Sequence, residues 1–120
     1  MNKKIKTYHD GYLFVYKDIT ENSTFGAKKN IESLENLDLV FKLGYKESYR
    51  RLQDYEFAEN SGRELTLKIK TRLIKGIKNE YKVVIFNRLY DIIQIDYDRS
   101  NREMYLYLEF VKELWEMRDY

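Results

Sequence analysis

Acidic residues are concentrated around position 96, in a pattern that could bind a metal ion. The segment Asp96-Tyr97-Asp98-Arg99-Ser100 begins like a calcium-binding loop, in which alternate carboxylates supply the oxygen ligands. Such a loop needs glycine at its sixth position and glutamate at its twelfth, where this chain has Asn101 and Tyr107. The metal pattern therefore fails, and the segment is predicted to be a polar hairpin tip whose Asp and Asn side chains cap the turn.

Other residues that could support catalysis lack the partners that the chemistry requires. His9 is the only histidine, which excludes metal sites with two or three histidines. Paired carboxylates could serve glycoside chemistry, but Asp91 lies inside a predicted strand, where a carboxylate usually faces solvent. There is no cysteine, no serine in a G-x-S-x-G elbow and no glycine-rich phosphate loop. We therefore predict no catalytic residue, no metal site and no cofactor, and expect that the protein is not an enzyme.

A basic stretch in the middle of the chain raises the alternative of nucleic-acid binding. It consists of Lys68, Lys70, Arg72, Lys75 and Lys78. Tyr81 follows it, and a small β-barrel with basic and aromatic residues can bind oligonucleotides. Acids in the same region, and the lack of the RNA-binding aromatic motif, favour instead a solvated strand face on which charges alternate with apolar residues.

The elements that position these residues are mostly β-strands. Alternating apolar and polar residues, enriched in β-branched and aromatic types, predict six strands. They cover residues 12–17, 37–45, 64–73, 81–86, 89–95 and 103–111. A short helix is predicted over residues 46–58, ending at Asn60-Ser61-Gly62. Residues 18–36 are predicted to form a long polar loop, and residues 112–120 a tail.

The order of these elements predicts the fold class. Turns are short, no βαβ rhythm appears, and a tight hairpin is predicted at Asn87-Arg88. We therefore predict a mainly β fold, namely a small antiparallel β-barrel or sandwich of about six strands with one short helix outside or at an end. The 120 residues suit a single domain over positions 1–120.

The composition is that of a globular chain with balanced charge. Hydrophobic residues make up 43% and charged residues 35%, with a net charge of +2, which neither requires nor excludes nucleic acid. Without cysteine, and with no segment near the ~18 apolar residues of a membrane span, we expect a soluble intracellular protein. The 12 tyrosines suggest an assembly surface, although AT-rich coding explains the surplus equally well.

Four segments after Leu37 occur in an order typical of one protein family. They are the aromatic and charged segment Glu47–Ala58, the strand Leu65–Arg72 with its basic end, the hairpin Val83–Ile93 and the leucine-rich final strand Arg102–Leu108. This order resembles that of small phage head-closure proteins, also called head–tail adaptor, joining or stopper proteins. The likeness covers residues 37–110. The chain departs from the family in its first strand and at Phe41, where a tryptophan is common.

The resemblance implies a β-barrel that assembles as a homo-oligomeric ring below the portal and adaptor of a phage. Such a ring closes the DNA-filled capsid and presents a surface to the tail. The implied partners are the portal or adaptor proteins and the tail proteins, with no membrane. The implied location is the host cytoplasm during assembly and the head–tail interface of the virion. A tail-completion or tail-terminator protein is the nearest alternative, and a small nucleic-acid-binding barrel is the alternative from another class.

The resemblance also suggests which residues make contacts in the assembled ring. Lys28 and Lys29, in the predicted loop, could contact packaged DNA phosphates without reading sequence, with a plain surface loop as the alternative. The predicted subunit-interface residues are Tyr105, Tyr107, Asp96 and Asp98.

Overall fold

The fold is one closed antiparallel sheet with a single helix outside it, within residues 7–18 and 37–114, which the computed structural model describes. The elements are β1 (Gly11–Asp18), β2 (Leu37–Ser48), α1 (Leu52–Asn60), β3 (Leu67–Arg72), β4 (Lys82–Ile85), β5 (Arg88–Asp98) and β6 (Glu103–Glu113). Hydrogen-bonded neighbours follow the order β1-β2-β3-β6-β5-β4, and β4 pairs with β1 to close the sheet. The predicted mainly β class, with six antiparallel strands and one helix, is confirmed.

The main core fills the inside of the closed sheet because alternate residues of each strand point inward. In β6, Met104, Leu106 and Leu108 are fully buried, as strand alternation predicts, whereas Phe110, the next residue in the same alternation, is 39% exposed. Other strands contribute Leu13, Val15, Leu43, Tyr45, Ile69, Val83, Ile85, Tyr90 and Ile92 to the same cluster. Burial of this apolar surface, at about 25 cal/mol per Å², is the main term that stabilises the sheet.

A bulge in β5 changes which residues of the strand face the core. Ile92 pairs with Leu108 and Gln94 with Tyr107, so Ile93 is an extra residue in the ladder. Ile92 faces the inner core and Ile93 packs outside with Tyr107 and Ala58 of the helix, and the extra residue brings Ile95 back against the inner core. Adjacent isoleucines thus serve opposite faces of the same strand.

The helix begins later than the sequence predicted. Residues 46–48 continue β2, where they pair with β3, and α1 begins only at Leu52. The carboxylate of Asp54 accepts the backbone N–H of Arg51 at 2.9 Å and so fixes the start of the helix. The predicted end at Asn60-Ser61-Gly62 is confirmed, since Gly62 has a φ of 72° and donates its N–H to the Glu59 carbonyl.

The β4–β5 hairpin turn lies one residue earlier than predicted. Its two central residues are Phe86 and Asn87, with φ values of 48° and 67°, and Arg88 already belongs to β5. Positive φ at both positions is the geometry of a type I′ turn, which follows the right-handed twist of the strands. The prediction of Asn87-Arg88 was wrong because it did not consider a phenylalanine in a left-handed conformation.

Two predicted segments cannot be compared in full. Asp18 closes β1, and residues 19–36 of the predicted loop lie outside the described residues. β6 extends to Glu113, two residues beyond the predicted strand end, and residues 115–120 of the predicted tail also lie outside the described part of the chain.

Candidate functional site

A surface pocket of about 290 Å³ opens where β2 ends and α1 begins. It is lined by Ser48, Tyr49, Arg51, Lys68, Asp96, Tyr105 and Tyr107. Three of the four residues predicted for a subunit interface, namely Asp96, Tyr105 and Tyr107, therefore lie together. Asp96 and Tyr105 lie side by side because they are direct cross-strand partners on β5 and β6.

The floor of the pocket is buried, and this corrects the prediction for Tyr107. Tyr107 is 5% exposed and packs beneath α1 against Ala58 and Leu65. Its side chain therefore stabilises the attachment of the helix to the sheet and is not an accessible contact for another subunit. The Lys68 ammonium lies 5.0 Å from the Tyr107 ring centroid and 5.2 Å from that of Tyr105, a cation–π arrangement on the same floor.

Asp54 contacts two cations and joins the helix to the floor of the pocket through one of them, Lys68. Its carboxylate accepts from the Lys68 ammonium at 2.9 Å and from the Arg51 guanidinium at 3.0 Å. Burial alone would raise the pKa of Asp54, but the hydrogen bonds from Arg51 and Lys68 outweigh it and lower the pKa to about 2. The carboxylate is thus ionised at neutral pH and neutralises the Lys68 ammonium, which would otherwise be costly to bury, whereas Arg51 is exposed.

The rim of the pocket carries apolar side chains in water. Tyr49 is 83% exposed and Leu52, one residue past the lining residue Arg51, is 71% exposed. Tyr105 is half-buried and Asp96 is exposed. We call Tyr49, Leu52, Asp96 and Tyr105 the helix-entry surface. Its mixture of aromatic, aliphatic and carboxylate groups is typical of a protein contact surface.

Asp98 is not part of this surface. It lies at the β5–β6 turn, where its carboxylate accepts from the Ser100 hydroxyl at 3.0 Å and from the Asn101 side-chain amide at 2.9 Å. The predicted polar tip capped by Asp and Asn is confirmed. Lys28 and Lys29, predicted to face DNA, lie outside the described residues.

The basic stretch is only in part the solvated face that the sequence predicted, because Arg72, Lys75 and Lys78 are exposed whereas Lys68 and Lys70 are not. Lys68 is 5% exposed and paired with Asp54, so for this residue the prediction was wrong. Lys70 lies 3.9 Å from Glu103, a buried carboxylate that also accepts from the Tyr8 hydroxyl at 2.7 Å. Asp91, predicted to face solvent, is only partly exposed and accepts from the Lys82 ammonium at 2.6 Å.

Sequence reasoning missed Asp54, Arg51 and the two rim residues. The signal for Asp54 was present, because an acid at the third helical position is a common N-terminal cap. It was hidden by placing the helix start too early, at residue 46. Tyr49 and Leu52 both fall within the predicted helix over residues 46–58, whereas in the structure Tyr49 precedes α1 and Leu52 is its first residue.

Comparisons with other proteins leave the family open. No family model matches the chain, and no curated protein sequence matches it. In the part of the chain that the structure describes, no group of three or more His, Cys, Asp or Glu side chains could hold a metal ion. Within the same residues, no helix has the length and apolar character to cross a membrane.

Proposed function

We propose that the protein is a structural component of a phage head–tail connector. It forms a homo-oligomeric ring below the portal or adaptor, closes the DNA-filled capsid and offers the attachment surface for the tail. The order of segments over residues 37–110 supports the phage context through its resemblance to head-closure proteins. The function is mechanical and interfacial, and no chemical step is assigned to it.

The helix-entry surface is the observation that carries this proposal. Tyr49 and Leu52 are large side chains exposed to water, one directly after β2 and the other at the start of α1. Grouped exposed apolar residues mark interaction sites, and tyrosine is among the residues enriched where proteins bind each other. Asp96 and Tyr105 beside them supply polar groups for the edge of such a contact. We assign this surface to the contact between neighbouring subunits.

Two of the five residues of the basic stretch give no support to the alternative of a nucleic-acid-binding barrel, whereas Arg72, Lys75 and Lys78 are exposed and keep it open as the alternative from another class. Lys68, the first member of the stretch, is buried and neutralised by Asp54, and Lys70 lies near Glu103. Cations that are already paired release few counterions on binding a phosphate backbone, so they contribute little affinity. A tail-completion or tail-terminator role uses the same kind of contact and stays the nearest alternative.

Electron microscopy of reconstituted particles tests the proposal. The purified protein is mixed with tailless, DNA-filled capsids of its phage, and we expect rings at the portal vertex. Capsids that bind no protein at this vertex would contradict the connector role. Rings bound to isolated tails but not to capsids would point to the tail-terminator alternative.

Matched variants test the assigned surface. Tyr49→Glu and Leu52→Glu place charge at the subunit contact and should abolish ring decoration. Leu39→Glu is the control, because Leu39 is also exposed, at 56%, but lies near the other end of β2. All three substitutions are at exposed positions, so the free energy of unfolding should change by no more than about 0.5 kcal/mol. Rings that survive both helix-entry substitutions would contradict the assignment of the surface.

A further inference from the structure

An open pocket of about 560 Å³ lies at one end of the closed sheet, between the end of β2, the start of β3 and the β4–β5 turn. Three aromatic side chains line it: Tyr45, Phe86 and Tyr90. Tyr45 and Tyr90 are 5% and 6% exposed and form its inner wall, whereas Phe86 is 72% exposed at the entrance. This pocket is separate from the helix-entry surface, with which it shares no lining residue.

Gly11 allows two of these rings to approach each other. A Cβ atom at this position would lie 3.1 Å from the Phe86 ring and 3.3 Å from the Tyr45 ring. Its φ of 144° also favours glycine. The first position of β1 therefore requires glycine, because the two aromatic rings occupy the space that a side chain would need.

Two acidic residues, Glu47 and Asp10, lie near the aromatic wall. Glu47 lines the pocket, and its backbone N–H donates to the Asp10 carboxylate at 2.7 Å. The Glu47 carboxylate forms no ion pair with the residues that the structure describes. Arg88, the basic residue of the lining, lies 3.7 Å from Glu113 and over the Phe110 ring, so its charge is already engaged.

The ionisation of Tyr45 reports the same negative environment. Burial is the largest cause that raises the pKa of its hydroxyl. Asp10 and Glu47 raise it further, because the negative charge of a tyrosinate would be repelled by their carboxylates. Burial disfavours a charge of either sign at this hydroxyl, so a cation in the pocket is favoured only where it meets the carboxylates of Asp10 and Glu47.

We propose that this pocket binds the cationic side chain of a lysine or arginine from a partner protein. Aromatic faces attract cations through their quadrupole, and Glu47 and Asp10 complement the charge. The volume accommodates a long basic side chain, whose methylene stem packs against the rings while its head meets the carboxylates. The proposal does not depend on the connector function, because it needs only the monomer.

Nuclear magnetic resonance of the full chain with short peptides tests this binding. The probes are acetylated and amidated Gly-Arg-Gly and Gly-Lys-Gly, with Gly-Leu-Gly and Gly-Glu-Gly as comparisons. We expect saturable amide shifts for the arginine and lysine peptides at Gly11, Tyr45, Phe86 and Tyr90. Dissociation constants should be about millimolar, as for a single small contact. The leucine and glutamate peptides should give no saturable shift.

Two variants and a control make the test specific. Glu47→Gln removes the charge at an exposed site and should raise the dissociation constant of the arginine peptide by about threefold or more. Phe86→Asn removes the ring at the entrance and should raise this dissociation constant by a similar factor. Glu56→Gln on α1 changes the net charge equally and should leave the affinity unchanged.

Three results would overturn the proposal. They are the absence of saturable shifts with both basic peptides, equal binding of the leucine peptide, and an affinity that is insensitive to Glu47→Gln. If Phe86→Asn alters the fold, the Glu47 variant alone decides the outcome, since its side chain makes no contact that the sheet needs.

Discussion

At the scale of single residues, Asp54 is the charged group that joins the helix to the sheet. It caps α1 through the Arg51 N–H and neutralises the buried Lys68 ammonium, which in turn lies against two tyrosine rings. The helix has only one other buried residue, Ala58, so apolar packing alone would hold it weakly. The ion pair therefore contributes to where the helix sits as well as to stability.

Removing one partner of this pair should cost more than removing both. Asp54→Ala leaves a buried ammonium without its carboxylate and should lower the free energy of unfolding by about 3 kcal/mol. In Asp54→Ala/Lys68→Met an apolar side chain fills the same space, and the loss should fall to about 1 kcal/mol, the remainder being the lost cap. Urea denaturation of Asp54→Ala, of Lys68→Met and of the double variant measures this coupling. Strictly additive losses would contradict the ion-pair interpretation.

The ionisation of Asp54 predicts how stability depends on pH. Its pKa is about 2 in the folded protein and 3.8 in the unfolded reference, so the unfolded chain takes up the proton first as the pH falls. The contribution of this carboxylate is present in full above about pH 5 and is lost towards pH 2, amounting to about 2 kcal/mol. Other carboxylates also titrate in this range, so Asp54→Asn is the reference. The stability difference between wild type and Asp54→Asn should shrink on acidification, and a constant difference would contradict the assignment.

At the scale of elements, the alternation of apolar and polar residues predicted which residues of a strand face the core. The sequence did not predict where each element ends. The inward residues of β6 were predictable because strict alternation leaves one consistent face. The end of β2 was not, because residues 46–48 have good helical propensity and are held in the sheet by pairing with β3, which the local sequence does not encode. Asp96 and Tyr105, both predicted as interface residues, lie together beside the pocket, but the burial of Tyr107 followed from the position of α1 and could not be predicted from β6 alone.

The β4–β5 turn keeps a residue that the turn itself disfavours. Phe86 has a φ of 48°, and a bulky side chain is an outlier in this region. Asn tolerates the conformation better, so Phe86→Asn should stabilise the protein by about 0.5 kcal/mol or more. The melting temperature by circular dichroism measures this gain. A lower melting temperature would show that the contacts of the ring with Gly11 and Tyr45 outweigh the backbone strain.

At the scale of the whole molecule, the fold depends on pairings between distant parts of the chain. β1 pairs with β4, and β3 pairs with β6, so the sheet closes only when segments far apart in sequence meet. Non-local pairing slows folding because loop entropy is lost before contacts form. The helix and the two short hairpins are the local elements available to form early.

The absence of proline from the sequence gives this folding reaction a specific signature. Slow phases of about 10–100 s at 25 °C usually come from prolyl isomerisation, and this chain has no prolyl bond to isomerise. Refolding after short and long periods of unfolding should therefore give identical kinetics without such a phase. Double-jump stopped-flow fluorescence measures this. A slow phase that grows with the time spent unfolded would contradict the prediction.

The bulge at Ile93 has a consequence for how this protein tolerates changes in length. It resets the inside-and-outside phase of β5 halfway along the strand, so the residues before and after it follow different parity. Deleting Ile93 would remove only the extra residue, because Ile92 would stay paired with Leu108 and Gln94 with Tyr107. Ile95 would keep its place against the core, and Asp96 its place at the helix-entry surface. A single-codon deletion here would thus leave the two faces of the hairpin in place, whereas deletion of Leu106, which is paired with Ile95, would exchange them on one side of the gap.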